Sequence, residues 1–307
     1  MKHWSRRKFL AASGGLGLSI AAQGLARRAW SDPLGLPVGI QLWTVNAPLQ
    51  IEPERTLTAL RRIGFRSVET AGFGKTTAKE FRTYLDHAEL TCPSAHLNFI
   101  GGDVDAMLAD ANALGVHYAV SSILRLGTGP APKSWPAPPA PLASLLPMTL
   151  EDAKKTAEMA NRIGEKARRA GLQYAYHNHF FEFVDQGNGA IAYDVLLKET
   201  DPALVQFEID CGWMVAAGYN PIDYFKKYPT RFPMIHVKDF QAAGKDVPAA
   251  LRVGAALGQG SIDYKPIFAA ARKAALKQYF AEQEAPFVGM DEFQAAQVSF
   301  DYLHSLK

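Results

Sequence analysis

The chain has 307 residues, of which 48% are hydrophobic, and carries a formal net charge of +3. That length suits one large core, and single α/β barrels commonly take about 250 residues. No block of lysine and arginine with interleaved aromatic residues appears, so the composition does not suggest a nucleic-acid groove. Cys92 and Cys211 fall in predicted strands. We expect both to be buried small hydrophobic side chains, with a disulfide or a nucleophile as the alternatives.

The N-terminal segment is predicted to be an export signal and not part of the fold. Arg6 and Arg7 stand in a Ser-Arg-Arg-Lys-Phe-Leu run that precedes a weakly apolar stretch over residues 9–26. Paired arginines before an apolar segment are read by the twin-arginine translocation machinery, which carries folded proteins. We therefore expect residues 1–30 to be a signal peptide and the mature protein to be periplasmic. An uncleaved membrane anchor and a chance pair of arginines are the alternatives.

Beyond residue 36, short β-branched or aromatic runs alternate with amphipathic helical stretches. Strands are predicted over residues 37–43, 65–70, 91–97, 116–123, 172–177, 204–210, 232–237 and 278–282. Helical patterns are clearest over residues 54–63, 150–170 and 291–306. Strands that alternate with helices, without tight hairpins, predict a single (β/α)8 TIM barrel over residues 36–307. A doubly wound open sheet is the alternative, but it would need a glycine-rich phosphate loop after the first strand.

Two long loops interrupt the alternation. Residues 127–147 contain seven prolines and are predicted to form a stiff flap over the barrel mouth, or else a plain surface insertion. Residues 244–262 contain Gly258 and Gly260. This glycine pair suits a close backbone approach to a ligand or to a neighbouring loop.

Acidic and histidine residues at the ends of the last four strands form the most informative pattern. Those strand ends line the mouth of such a barrel, where ligands bind. Each strand delivers one metal-capable side chain there, namely Glu182, Asp210, His236 or Glu282. Bunched carboxylates repel one another unless a cation compensates them. Three carboxylates and one imidazole therefore predict a divalent metal ion, manganese first, with magnesium, cobalt or zinc as alternatives.

Four motifs at these strand ends resemble the xylose-isomerase-like TIM-barrel superfamily of sugar isomerases and epimerases. They are Tyr-His-Asn-His-x-x-Glu-Phe at 176–183, Asp-x-x-Trp at 210–213, His-Val-Lys-Asp at 236–239 and Ala-Glu-Gln-Glu at 281–284. The branch to which they are most similar includes dehydratases of keto-inositols and subunits that cleave oxidised C-glycosides by elimination. A Glu-Asp-His-Glu set holds the metal in the superfamily, which the resemblance carries over to Glu182, Asp210, His236 and Glu282.

The chain departs from the ketose epimerases at two positions. His177 stands where those enzymes present their first glutamate, and Trp213 stands where they have a histidine. The first metal ligand is accordingly either Glu182 or a histidine of the fifth strand. Simple ketose 3-epimerisation with paired catalytic glutamates is disfavoured.

The family chemistry implies particular roles for the remaining polar residues. A metal chelated by a substrate carbonyl and hydroxyl stabilises an enediolate, so a base only has to remove the proton alpha to the carbonyl. His177 and His179 are candidate bases that share one face of the strand end. Lys238 is the candidate acid or oxyanion partner. Side chains expected to bind the sugar are Trp43, Glu69, His96 and Trp213.

The leading functional expectation is a metal-dependent sugar isomerase or epimerase. A lyase or dehydratase that eliminates from a 3-keto-glycoside or keto-cyclitol is the alternative, because it would use the same ligands. A phosphodiesterase on this barrel would need more ligands and a basic track, and is disfavoured. A non-catalytic periplasmic sugar-binding protein is the remaining class. The expected partners are a small carbohydrate and the translocation machinery, and a homo-oligomer is left open.

Overall fold

The computed structural model describes residues 34–121, 123–125, 147–244 and 246–306. The signal peptide predicted over residues 1–30 and almost all of the flap predicted over residues 127–147 lie outside the described residues. Among the described helices, none is both long enough and apolar enough to cross a lipid bilayer.

The described residues contain nine strands. In chain order they are β1 (Gly39–Gln41), β2 (Ser67–Ala71), β3 (Thr91–Leu97), β4 (Tyr118–Ser121), β5 (Gln173–His177), β6 (Val205–Asp210), β7 (Met234–Phe240), β8 (Gly254–Ala255) and β9 (Gln278–Glu282). All except β8 pair in parallel with two neighbours, and β9 pairs with β1 to close the ring. The predicted single (β/α)8 barrel is therefore confirmed.

Helices follow the strands and surround the barrel. They are α1 (Asn46–Ile51), α2 (Pro53–Ile63), α3 (Ala78–His87), α4 (Val104–Leu114), α5 (Leu150–Arg169), α6 (Ala192–Glu199), α7 (Cys211–Ala216), α8 (Pro221–Lys227), α9 (Tyr264–Ala271) and α10 (Glu292–Ser305). Short 3-10 turns occur at Leu42–Val45, Phe181–Phe183 and Ala249–Leu251. Local sequence marks several ends: Thr77 and Glu80 form a capping box at the start of α3, and Gly115, with φ of +75°, ends α4.

The first strand is shorter than predicted. The sequence predicts a strand over residues 37–43, but the strand ends at Gln41. The Gln41 side chain accepts a hydrogen bond from the backbone N–H of Trp43, and this contact turns the chain into a 3-10 turn. Cys211 likewise follows β6 as the first residue of α7. Both cysteines are buried and free, as expected of small hydrophobic side chains.

A buried carboxylate organises the loop after β7. Asp239 accepts hydrogen bonds from the backbone N–H groups of Phe240, Gly258, Gly260, Ser261 and Ile262. A Cβ at Gly260 would lie 2.1 Å from Asp239 Oδ1. The close approach that the glycine pair allows is therefore to the Asp239 side chain, near the end of β7. β8 extends the sheet beside it, antiparallel to the end of β7.

An apolar plug fills the barrel beneath the mouth. A separate buried cluster consists of Tyr118, Val120, Ala175, Met234 and Phe280. Alternate residues of a strand point to the same side. The residues two positions beyond Ala175, Met234 and Phe280 are polar, and they lie one layer higher at the carboxyl ends of their strands. The inward-facing side chains thus change from apolar to ionisable at the layer where the barrel mouth begins.

Candidate active site

Two buried carboxylates and three imidazoles form a lower cluster just above the plug. His96 Nε2 lies 2.8 Å from Glu208 Oε2 and 3.1 Å from Glu69 Oε2. His236 Nε2 lies 2.7 Å from Glu69 Oε2 and 3.1 Å from Glu208 Oε2. His177 Nδ1 is also 3.1 Å from Glu208 Oε2, although its geometry makes no hydrogen bond. Five strand residues from β2, β3, β5, β6 and β7 therefore meet in the barrel interior.

Charge in the lower cluster is compensated internally. Burial lowers the pKa of His96, but Glu69 and Glu208 outweigh burial and raise it to about 9. The pKa of His236 is likewise raised by its carboxylate neighbours against the effect of burial. Burial and the adjacent imidazoles hold the pKa of His177 well below its usual range. The lower cluster thus pairs carboxylates with protonated imidazoles and keeps one imidazole neutral.

A second group of side chains, the upper cluster, lies on the mouth side of His236. His236 Nδ1 is 2.8 Å from Glu282 Oε2, and Lys238 Nζ is 2.9 Å from the same oxygen. Lys238 Nζ also lies 3.2 Å from Asp210 Oδ2 and 2.6 Å from Glu284 Oε1. Strand register explains the meeting, since Asp210 pairs with His236 and Lys238 with Glu282. His236 therefore joins the two clusters through its two ring nitrogens.

The upper cluster fits a divalent cation. Donor atoms of Asp210, His236 and Glu282 lie within 4.8 Å of one another. Asp210 Oδ2 is buried and accepts no hydrogen bond from the described residues. Burial raises the pKa of this carboxyl to about 6, although Lys238 and His236 oppose the shift. Carboxylate oxygens with one imidazole suit manganese, magnesium, cobalt or zinc. A ligating histidine commonly donates its other N–H to a carboxylate, and Glu69 stands at that place.

The lower cluster also contains a set of possible metal-ligand atoms that lie within 4.8 Å of one another. It consists of His96, His177, Glu208 and His236. The histidine option that the sequence left open for the first metal ligand thus has a structural counterpart in His177. Glu182 belongs to neither set.

Glu182 occupies a different position, behind β5. Its Oε1 accepts a hydrogen bond of 2.8 Å from the Tyr176 hydroxyl, and its Oε2 accepts one of 3.0 Å from the backbone N–H of His179. Burial raises the pKa of Glu182 to about 7, against the lowering effect of those hydrogen bonds. Its assignment as a metal ligand stays a prediction. The observed contacts favour a role in holding the 3-10 turn and His179.

His179 is a neutral, buried imidazole close to Lys238. Burial, followed by the nearby Lys238 ammonium, lowers the pKa of His179 to about 3, so the ring is neutral at pH 7. Its Nδ1 is buried and has no hydrogen-bond partner among the described residues. The ring stacks on Phe181 at 5.5 Å and lies 6.4 Å from Trp213. A neutral imidazole with a free nitrogen can accept a proton from a bound substrate.

Lys238 has the opposite protonation state. Burial would lower its pKa, but Asp210, Glu282 and Glu284 raise it well above its usual range. The same ammonium and His236 lower the pKa of Glu282 against the effect of burial. Lys238 is therefore a positively charged hydrogen-bond donor at the mouth, and its role as an acid or oxyanion partner stays a prediction.

The residues predicted to bind sugar divide into three places. Glu69 and His96 lie inside the lower cluster, where Gln41 also donates to Glu69 at 2.7 Å. Trp213 is 7% exposed and its ring lies 5.1 Å from Lys238 Nζ. Trp43 lies in the 3-10 turn after β1 and is half-buried. Of the four, Trp213 borders a cavity at the mouth.

Glu208 is a site residue that the sequence argument passed over. It lies two residues before Asp210 on β6, and its side chain is fully buried among His96, His177 and His236. Alternation along the strand would have found it, because residues two apart share a face. The strand-end pattern includes only Asp210, the last acidic residue of the strand.

Comparisons with known proteins agree with this geometry. A model of the family described as Xylose isomerase-like TIM barrel matches residues 57–286, more than half of the chain. Inosose dehydratase from Clostridium tetani is 31% identical over 130 residues, which cover 39% of this chain and 43% of that relative. The matched segment thus spans less than half the length of the relative.

Solved structures resemble the chain over nearly its whole described length. A sugar phosphate isomerase/epimerase from Parabacteroides distasonis is 25% identical with a TM-score of 0.68, and the match covers 90% of this chain and 96% of that one. A structure of IOLI protein with a bound zinc atom is 15% identical with a TM-score of 0.61, and covers 86% and 95%. At that identity the second likeness concerns the fold alone.

Proposed function

The chain belongs to the xylose isomerase-like TIM barrel family, and from that premise we propose that it is a divalent-metal-dependent isomerase or epimerase acting on a sugar. The observation that carries the proposal is the convergence of Asp210, His236 and Glu282 within 4.8 Å, with His179 and Lys238 beside them. Side chains that only stabilise the fold would not need to bring a neutral imidazole, a charged ammonium and three metal-ligand atoms together at the barrel mouth.

Each group has a definite task in this proposal. Asp210 Oδ2, His236 Nδ1 and Glu282 Oε2 would hold the ion, manganese first, with zinc, cobalt or magnesium as alternatives. When bound, the ion supplies Lewis acidity that stabilises negative charge on the substrate carbonyl oxygen. His179 accepts the proton alpha to that carbonyl. Return of the proton to the neighbouring carbon of the enediolate would give an isomer, and protonation of the same carbon on its opposite face would give an epimer. Lys238 donates to the developing oxyanion.

Elimination is the second candidate, and the similarity to inosose dehydratase favours it. His179 would remove the same alpha proton, and the electron pair would expel a leaving group from the next carbon. Lys238 would then donate its proton to the departing oxygen. A keto-cyclitol or a 3-keto-glycoside has the carbonyl and the neighbouring leaving group that this step needs.

Proton exchange in deuterated water tests the proposal. The metal-loaded protein is incubated with free sugars, keto-cyclitols and 3-keto-glycosides, and the reactions are followed by NMR. We expect deuterium at the carbon alpha to the carbonyl, together with either an epimer or an unsaturated product, and no exchange with His179→Asn. Binding without exchange on every substrate would overturn the proposal and favour a sugar-binding protein.

A further inference from the structure

A cavity of about 260 Å³ lies beside the upper cluster. Its wall includes Trp213, Lys238, Arg252 and Glu284. A larger groove of about 680 Å³ adjoins it, since Ala250 and Arg252 line both spaces. The groove continues along apolar side chains of the segment after β5, of α7 and of the loop after α7, namely Phe180, Phe183, Val215 and Tyr219. Space therefore extends from the site of chemistry outward past Arg252.

Two hydrogen-bond donors in this wall have no acceptor. Trp213 Nε1 and Arg252 Nε are both buried and lack a hydrogen-bond partner among the described residues. Leaving a buried donor without an acceptor costs about 1–3 kcal/mol. A ligand that supplies acceptor atoms in the cavity would remove that cost for both groups.

The charge of Arg252 also lacks compensation. Among the described residues, no carboxylate oxygen lies within 4.0 Å of a nitrogen of the Arg252 guanidinium, so Arg252 forms no ion pair with them. Outside the described residues the sequence contains one acidic side chain, Asp32, within the segment predicted to border the export signal. The two acidic residues in the walls are already engaged. Glu284 is paired with Lys238, and Asp185 accepts from the backbone N–H groups of Gly187 and Gly189.

We propose that this cavity is an outer subsite for an anionic group on the substrate, recognised by Arg252 and Trp213. The inference rests on the proposed function, because it assumes that the reacting sugar occupies the upper cluster. The group that extends past Arg252 is then a substituent of the reacting sugar, which in the elimination reaction would be the leaving group, and it carries a carboxylate or a phosphate. An arginine binds either oxyanion through paired N–H donors, and the Trp213 N–H supplies a further donor.

A matched pair of ligands tests the charge requirement directly. The probes are 4-carboxyphenyl and 4-carbamoylphenyl β-D-glucoside, which have the same shape and differ in one negative charge. Calorimetric titration of metal-loaded wild type should show the carboxylate bound roughly tenfold more tightly than the amide. In Arg252→Gln the two probes should bind equally. Arg162→Gln, on the outer face of α5, should keep the wild-type preference.

A second measurement needs no variant. The preference of wild type for the carboxylate should shrink at 0.5 M salt, because the interaction is between charges at a solvent-accessible mouth. A phosphorylated aglycone of the same size distinguishes the two oxyanions by its affinity relative to the carboxylate.

Equal affinity for both probes in wild type overturns the subsite, and so does a preference that survives in Arg252→Gln. Binding of neither probe overturns it as well. These outcomes are separate from those of the deuterium-exchange experiment, which measures proton exchange and not binding. A carboxylate preference without any proton exchange would support the subsite while rejecting the proposed catalysis.

Discussion

Lys238 Nζ lies 3.2 Å from Asp210 Oδ2, and this is the oxygen through which Asp210 would bind a divalent ion. The ammonium and the ion therefore compete for the same negative charge. The same holds for Glu282, whose Oε2 is 2.9 Å from the ammonium. A lysine that can move toward Glu284 would release both carboxylates to the ion while staying near the substrate.

Replacing Lys238 by methionine should make the protein depend on the metal for stability. Removing one partner of a buried ion pair costs about 3–5 kcal/mol, which corresponds to a Tm lower by roughly 6–20 °C in a domain of this size. Manganese should raise the Tm of this variant more than that of wild type, as measured by differential scanning fluorimetry. Lys155→Met on α5 is the control, because that side chain is half exposed. An equal manganese effect in Lys238→Met and Asp210→Asn would contradict the assigned ion position.

Substitutions of His179 and Glu182 should be compared by their effects on turnover and on metal content. His179→Asn should keep its manganese and lose roughly 10²–10⁴ in turnover, as expected for a general base. Glu182→Gln should also keep its manganese, because both carboxylate oxygens are engaged by Tyr176 and His179. Elemental analysis and turnover measured on the same samples decide the matter. Loss of the ion in Glu182→Gln would establish Glu182 as the ligand that the sequence predicted.

The stability of the protein should depend on pH through Glu182. Its pKa is raised from 4.5 to about 7 in the folded protein, so the folded state binds a proton more tightly than the unfolded state. This contribution favours folding at low pH and is lost as the pH rises from about 4.5 to 7. Wild type should therefore lose stability between pH 5 and pH 8 while Glu182→Gln does not. The Tm of Glu182→Gln minus the Tm of wild type should increase over this range. A difference that does not change over this range would show that the carboxyl is not held protonated.

Gly260 should tolerate no side chain, because a Cβ would lie 2.1 Å from Asp239 Oδ1. Alanine there would displace the carboxylate from its backbone N–H partners, at a cost of roughly 2–3 kcal/mol. The expected fall in Tm is about 4–12 °C, measured by circular dichroism. Gly244→Ala is a matched control, since a Cβ at Gly244 meets nothing within 4 Å. Similar melting of the two variants would refute the role given to the Asp239 contacts.

Export should depend on the paired arginines. Arg6→Lys combined with Arg7→Lys should leave the protein in the cytoplasm, because the translocation machinery reads the arginine pair. Cell fractionation with an antibody against the barrel measures the result. Periplasmic protein in a strain that lacks the twin-arginine pore would show that another route carries it.

The metal-capable side chains of β6, β7 and β9 could be predicted because each lies within a clear strand pattern. Asp210, His236 and Glu282 all lie where the strand ends place them, and the predicted bounds of β9 match those observed. Glu208 was missed although it shares its strand face with Asp210. Lys238 was assigned to the mouth, but its three carboxylate partners come from other strands or loops, and only the closed barrel brings them together.

Other features could not be predicted from local patterns. Glu182 meets Tyr176 because the 3-10 turn at Phe181–Phe183 folds back on β5, and a three-residue turn has no periodicity to detect. β8 has two residues and is defined by its pairing with Asp239 and Phe240. The cavity beside Arg252 depends on the path of a loop around Ala249–Leu251, which the sequence does not specify.

Closure of the ring has a consequence for synthesis in the cell. Gly39 pairs with Phe280 and Ile40 with Ala281, so the first strand acquires its second neighbour only when almost all of the chain has left the ribosome. Until then β1 and β7 present open backbone edges to other nascent chains. If residues 1–30 act as the predicted export signal, a route that carries only folded protein could not transport the chain until β9 has docked. The order of the strands would then impose a delay between synthesis of the signal and transport.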